Sequence, residues 1–455
     1  MFVIIIFWLL VACAAILPTR WTVYLFFAAM PFGSVTVIPG DTTILPVVGV
    51  APLLIFKIAQ ERQSITAYID MMLSPRGFAW LTAFIVVALV VTLTAPMLFA
   101  GVEIMGLNSL RREGLSFGSG QITQTLYLLV SYLIAISIAM LLATEQGWRT
   151  LAAGLLIGAS VTVFSGLVDF LTAGTSLLEP LRTARYAIMA DAEVNGVRRM
   201  IGFNTEAAAF GGLTITFAAM LIFIRPAQLL EYGARIAEPF LAVTLLVMAV
   251  MSTSSAAYLA LGMVVILFAA RTLTMVVLAG SSAHRSQGAI SAMVLLMLVI
   301  VGAVTVILVP QVANSAFRMI DSILLTKGTS SSYVERGTWN TTSLQALLDT
   351  GGYGVGVGGT RASSWLVAVV SCTGILGAIA IFAFLVKSYL TPVALHLRSI
   401  ANGTRYALPV SLVPAIVVGT SVDFGSINAI LFAILTASAM SSISHPRLRS
   451  KPIRA

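Results

Sequence analysis

Two short stretches set charged residues directly against long apolar runs. The first, VRRMIGFNTEAAAFGG (residues 197–212), carries Arg198, Arg199 and Glu206. The second opens with Glu335, Arg336 and Trp339. It runs through Tyr353 and the glycine cluster GVGVGG (354–359) to Arg361. A guanidinium is planar and donates two parallel charge-assisted hydrogen bonds, which suits it to phosphate. Several arginines at predicted helix ends therefore point to a site for an anionic headgroup, of which a lipid-linked diphosphate is one. Glu206 or Glu335 beside them supplies a general base for a sugar hydroxyl. A third stretch, MSTSSAAYLAL (251–261), sets four hydroxyls between two apolar segments. Ser254 and Ser255 are candidate ligand contacts there. Thr253 is expected to belong to a tight turn whose hydroxyls satisfy free backbone groups.

The glycine cluster matches G-x-G-x-x-G, the fingerprint of a dinucleotide-binding loop. That chemistry needs a strand before the glycines and a soluble helix after them. Here the preceding residues have a helical pattern and the following ones are continuously apolar, so a nucleotide site is not expected. Two readings stay open. The glycines turn the backbone tightly as a loop returns to the membrane, or their bare N–H groups form an anion nest beside Arg361.

These residues must be positioned by membrane helices. Of 455 residues, 59% are hydrophobic and only 9% charged, whereas soluble chains are about a quarter charged. Apolar runs recur at about 2–17, 21–37, 44–59, 77–100, 121–143, 150–171, 203–224, 240–253, 255–280, 289–310, 364–387, 406–422 and 427–442. Backbone polar groups in lipid must be satisfied within their own segment, so each run is expected to be a helix. The fold class is thus all-α: a polytopic bundle of about 12–13 spans forming one integral membrane domain. The first run lacks a basic leader and a small-residue cleavage site, and is expected to be a retained span. Glu206 is expected about a turn inside the seventh span, where an ionisable residue is expensive and usually functional.

Basic residues in short loops set the orientation. The tail (443–455) carries Arg447, Arg449, Lys451 and Arg454 and is expected in the cytoplasm. Counting back puts Lys57, Arg76, Arg149, Arg225, Arg235, Arg271, Lys387, Arg398 and Arg405 on the same side. The net charge of +9 is then the positive-inside bias, and no nucleic-acid partner is implied. Two long loops, 172–202 and 311–363, fall outside. Long loops in a compact protein usually carry function, although Arg318 and Lys327 within the second are read as plain solvated or headgroup contacts. Cys13 and Cys372 lie in separate spans and read as apolar fillers. With three histidines and no paired-ligand motif, a protein-held metal is not expected.

The order of these features resembles the O-antigen ligase and Wzy-type polysaccharide polymerase superfamily. The resemblance rests on Arg199-x-x-Gly202-Phe203 with Asn204-x-Glu206 and the Ser-rich turn. It continues through Glu335-Arg336 with Trp339, the alternating glycines, and the Gly-rich span CTGILGAIAIF, and covers about residues 120–390. It implies an integral membrane glycosyltransferase that takes a glycan from undecaprenyl diphosphate on the periplasmic face of an inner membrane, without metal, nucleotide or other cofactor. By this resemblance Arg199 and Arg336 grip the diphosphate and Arg198 and Arg361 assist. Glu206 or Glu335 orients or deprotonates the acceptor hydroxyl, and Trp339 and Tyr353 stack on sugars. Membrane lipids, a chain-length regulator and export proteins are the implied partners. The sequence departs from the family pattern in three places. No Arg follows the Ser in the turn, no His occurs in the large outer loop, and the His-Asn that many polymerases carry near the start of the next span is replaced by ASSWLV (362–367); His284, His396 and His445 all fall on the cytoplasmic side. These departures favour an exopolysaccharide or O-antigen polymerase over a lipid A core ligase. A flippase or transporter of lipid-linked glycans is the reading from another class. It calls for charges deep in a central cavity rather than at one face.

Overall fold

The computed structural model describes residues 2–38, 43–62, 65–107, 109, 111–184, 193–194, 197–278 and 331–444. The expected span at 289–310, Arg318, Lys327, His284, His445 and the basic tail lie outside the described residues. The described chain is mostly helical: α1 (Phe2–Ile16), α2 (Thr19–Ala29), α3 (Pro46–Arg62), α4 (Ile65–Leu73), α5 (Ala79–Leu98), α6 (Ser119–Leu141), α7 (Glu145–Leu171), α8 (Ala207–Phe223), α9 (Tyr232–Met251), α10 (Ser255–Leu278), α11 (Ser331–Asp349), α12 (Trp365–Leu390), α13 (Arg398–Val418) and α14 (Gly425–Ser444). Among the described residues six of these, α5, α6, α7, α9, α10 and α12, are long and apolar enough to cross a membrane. They fit a multi-pass membrane protein. Their outward sides carry exposed Val, Leu, Ile and Phe, as at Val90, Phe164, Phe240 and Leu376, which is the surface lipid would cover.

Several elements differ from the hydropathy pattern. The run at 21–37 is helical only over Thr19–Ala29, about 16 Å at 1.5 Å per residue, because the chain leaves the helix at Met30–Pro31. Two elements are too short to stand out: the nine-residue amphipathic α4, and an antiparallel hairpin of β1 (Glu103–Met105) and β2 (Arg112–Gly114) between α5 and α6. A second small pair joins β3 (Glu193–Val194) and β4 (Val197–Arg198).

The glycine cluster is part of the packing core. α12 breaks at Gly374, whose φ of 69° is left-handed. The freed carbonyls of Ser371 and Cys372 accept from Val355 N and Gly356 N at 2.9 Å each, and Ile375 N returns a bond to Gly352 O at 3.0 Å. On its other side the segment reaches α5, where Val357 N donates to Thr92 Oγ1 at 2.9 Å. Gly356 sits at φ +88°, and a Cβ there would stand 2.8 Å from the Thr92 Cα. Only glycine fits. Gly354 N is taken by Thr350 Oγ1, and Gly359 N by Gly356 O. The N–H groups an anion nest needs are therefore already bonded, and the nest reading is corrected to a backbone wedge between α5 and α12. A helix, α11, precedes the glycines where a nucleotide fold needs a strand.

At the opposite end of the bundle, cationic side chains cap helix ends. Lys57 Nζ donates to the carbonyls of Ala14, Ala15 and Leu17. Lys387 Nζ bonds Arg76 O at 2.7 Å, and Arg271 Nη1 bonds Phe223 O at 3.1 Å. His396 lines a cavity of about 970 Å3 at that end with Glu145, Arg149 and Arg235.

Candidate functional site

Three separate segments bring charge together at the other end. The first is the strand and turn 197–206 leading into α8. Its anchor is Asp169 near the end of α7, fully buried. One carboxylate oxygen accepts from Ile201 N at 2.9 Å and Gly202 N at 3.1 Å. The other pairs with Arg198 at 3.0 Å and Arg182 at 3.5 Å. Arg198 is thus committed to a carboxylate, which changes its expected role from diphosphate ligand to structural tie. Its neighbour Arg199 points into a different environment. Nε donates to Thr253 Oγ1 at 3.2 Å and Nη2 to Thr253 O at 3.4 Å.

Glu206 is not inside the helix. The chain turns through Gly202–Thr205, and α8 begins at Ala207. Glu206 is the N-cap residue in extended conformation, and its carboxylate makes no capping hydrogen bond. The side chain is part-exposed beside the N-terminus of α8.

The second segment is the N-terminal half of α11, with Glu335 exposed and Arg336 half-buried. The third is the loop 360–364 before α12. Arg361 is held by a backbone bond, one guanidinium bond and a ring, while its Nε is buried without a partner among the described residues. Its N–H donates to Met105 O on the hairpin at 2.8 Å, its Nη1 to Leu107 O at 3.2 Å, and its guanidinium lies 4.4 Å over the Trp339 ring. α11 is tied to the same loop by Asn340 Oδ1, which accepts from Ser363 N at 2.7 Å, and by Ser343 Oγ, which donates to Arg361 O at 3.0 Å.

The charges on these segments act on one another. Burial lowers the pKa of the Arg199 guanidinium; Glu206 opposes that shift and Arg336 adds to it. Burial likewise lowers Arg361, with Glu335 and Glu206 opposing and Arg336 adding. Among the described residues none of Arg199, Arg336 and Arg361 makes an ion pair; the pairs are Arg112–Glu103, Arg149–Glu145, and Arg182 and Arg198 with Asp169. Three guanidiniums share two carboxylates without an ion pair among the described residues, so the cluster keeps an excess positive charge.

The remaining expected contacts have other partners. Trp339 is buried, with one face under Arg361. The Tyr353 hydroxyl is 2.6 Å from Thr94 Oγ1 and its ring packs on Phe99, which fastens the glycine wedge to α5. Ser254 and Ser255 are buried at the start of α10, Ser254 O accepting the Tyr258 N–H at 2.9 Å. Trp339, Ser254 and Ser255 are buried, and Tyr353 is part-exposed. Sequence reasoning missed Asp169, hidden at the end of an otherwise apolar run, where an intramembrane acid is itself the signal. It also missed the hairpin carbonyls that orient Arg361, which no side-chain pattern records. Compared with known proteins, the chain matches no protein-family model and no curated protein.

Proposed function

We propose that the chain is an integral membrane glycosyltransferase of the polysaccharide polymerase type. It moves a glycan from an undecaprenyl diphosphate carrier to a sugar hydroxyl of a second lipid-linked repeat. The observation that carries this reading is the convergence of Arg199, Arg336 and Arg361 with Glu206 and Glu335 from three segments, with no ion pair among them. In the reaction the acceptor oxygen forms a bond to the donor C1 while the C1–O bond to phosphate breaks. The electron pair leaves with the diphosphate. Fixed positive charge at that group stabilises the transition state directly. Glu206, part-exposed at a helix N-terminus, or Glu335, exposed on α11, takes the proton of the acceptor hydroxyl.

The site end is the one opposite Lys57, Lys387 and Arg271, which supports a periplasmic site in an inner membrane by the bias of basic loops. The further spans expected from the sequence, to a total near 13, and the two outer loops belong to this proposal. Placement of the charges at one end also favours a transferase over a flippase. The test is complementation of a host lacking the gene, with membrane expression checked and polymer length read on gels. Wild type should restore long polymer, while Arg199→Ala and Arg336→Ala leave single lipid-linked repeats. Wild-type polymer from Arg199→Ala, Arg336→Ala and Arg361→Ala alike would remove the proposed site. Long polymer that forms but stays off lipid A core would identify a ligase instead.

A further inference from the structure

We propose that Thr253 is a positioning residue that sets the Arg199 guanidinium for its anion, an inference that rests on the anion-site reading above. Thr253 has a φ of 49°. A β-branched residue in the left-handed region is a genuine outlier, and such conformations persist where the surroundings over-determine them, most often at functional sites. Its surroundings do so here. Thr253 is 2% exposed, its N–H is bonded to Val250 O at 3.0 Å, and the preceding Ser252 N to Met248 O at 2.9 Å.

The conformation has a chemical result. It turns both the Thr253 hydroxyl and its carbonyl toward one edge of Arg199, the edge formed by Nε and Nη2. Nη1 has no hydrogen-bond partner among the described residues, so the far edge of the guanidinium stays available. The backbone that carries Arg199 is fixed independently. Met200 N bonds Met251 O at 3.2 Å, and Ile201 and Gly202 are bonded to Asp169. Strand and turn are thus locked together, and Thr253 fixes the Arg199 side chain between them. A guanidinium held in place costs less ordering when it meets its ligand.

A turn residue with no such role would be better as glycine, which takes a positive φ without strain. Thr253→Gly therefore separates the two roles. It relieves the backbone and removes Oγ1, while Thr253→Ser keeps the hydroxyl. The full chain is labelled with 15N-arginine in lipid nanodiscs, and the Arg199 Nε–H resonance is assigned by its loss in Arg199→Lys. In Thr253→Gly that proton should exchange with water about tenfold faster or more, the worth of one hydrogen bond to a charged group, with melting unchanged or raised. Thr253→Ser should stay within about threefold of wild type. Unchanged exchange in Thr253→Gly, or exchange in Thr253→Ser as fast as in Thr253→Gly, overturns the proposal. Polymer length in the complemented host completes the test. Shortened polymer with Thr253→Gly and full length with Thr253→Ser support the role. If Arg199→Ala abolishes polymer while Thr253→Gly leaves it intact, Thr253 does not position Arg199 for function. If Arg199→Ala itself leaves polymer intact, the anion-site reading fails, and exchange still decides whether Thr253 clamps the guanidinium.

Discussion

Replacing Asp169 by alanine removes the acceptor for four donors at once. Two are backbone N–H groups, Ile201 at 2.9 Å and Gly202 at 3.1 Å. Two are guanidiniums, Arg198 at 3.0 Å and Arg182 at 3.5 Å. A buried N–H left unpaired costs about 1–3 kcal/mol, and breaking a buried ion pair by removing one partner costs about 3–5 kcal/mol. The two arginine side chains are 26% and 18% exposed, so water recovers part of the electrostatic loss. The contributions also overlap, since all pass through one carboxylate. The net expectation is a loss of about 3–4 kcal/mol in holding the 197–202 strand to α7. Asp169→Asn keeps one carbonyl-type acceptor for the N–H pair and turns an NH2 toward Arg198, so about half that loss is expected. The assay is limited trypsin digestion of purified protein, following cleavage after Arg198 and Arg199 by mass spectrometry. If strand opening precedes cleavage, 3–4 kcal/mol corresponds to cleavage roughly a hundredfold faster or more. Cleavage of Asp169→Ala at the wild-type rate would mean the strand is held by other contacts and that Asp169 is not its anchor.

Two further predictions concern elements away from the arginines. Gly356→Ala should destabilise the protein by about 2–4 kcal/mol, from a forced left-handed conformation and a Cβ driven into α5, and a lowered melting temperature checks it; unchanged melting would mean the glycine segment is not wedged against Thr92. The Asp423 carboxyl, in the turn between α13 and α14, is pushed up from 3.8 to about 6 by burial, against hydrogen bonds from Ser131 and the Gly425 and Phe424 N–H groups. Because its folded pKa is raised, its contribution to stability is full below about pH 4 and is lost as pH rises through about 6, by roughly 3 kcal/mol at most. Asp423→Asn should flatten that slope and melt higher than wild type above pH 6, and parallel melting curves from pH 4 to 8 for the two proteins would contradict it.

How much of this was legible in the sequence depends on the physics behind each element. The long spans α5, α6, α7, α9, α10 and α12 announce themselves because lipid demands an uninterrupted apolar run. The cluster of Arg199, Glu206, Glu335, Arg336 and Arg361 was legible for the converse reason: charge is rare in this chain, and where it persists something holds it there. Its division of labour was not legible. Arg198 and Arg199 are adjacent and chemically identical, and only the position of Asp169 on another helix sends one into an ion pair and leaves the other to bond Thr253. The glycine cluster was ambiguous because alternating glycines serve any tight backbone approach. Its true partner is the break at Gly374 in α12, one helix further on. Trp339 and Tyr353 looked like sugar platforms, yet an aromatic beside arginine is equally suited to carry the guanidinium on its face. The hairpin at 103–114 escaped because its strands are three residues long and charged.

The central claim is that Arg199, Arg336 and Arg361 together hold a diphosphate-linked glycan while a nearby carboxylate activates the acceptor. The most direct measurement is reconstitution. Purified full-length protein in lipid nanodiscs is given an undecaprenyl-diphosphate-linked repeat with a chelator present, and the lipid-linked products are resolved by mass spectrometry. Wild type should give two-repeat and longer lipid-linked products with release of undecaprenyl diphosphate. Well-folded Arg199→Ala or Arg336→Ala should lose about a hundredfold or more in the rate, the scale for removing one transition-state donor. Extension at the wild-type rate by the arginine variants, or unchanged substrate with well-folded wild-type protein, would contradict the claim.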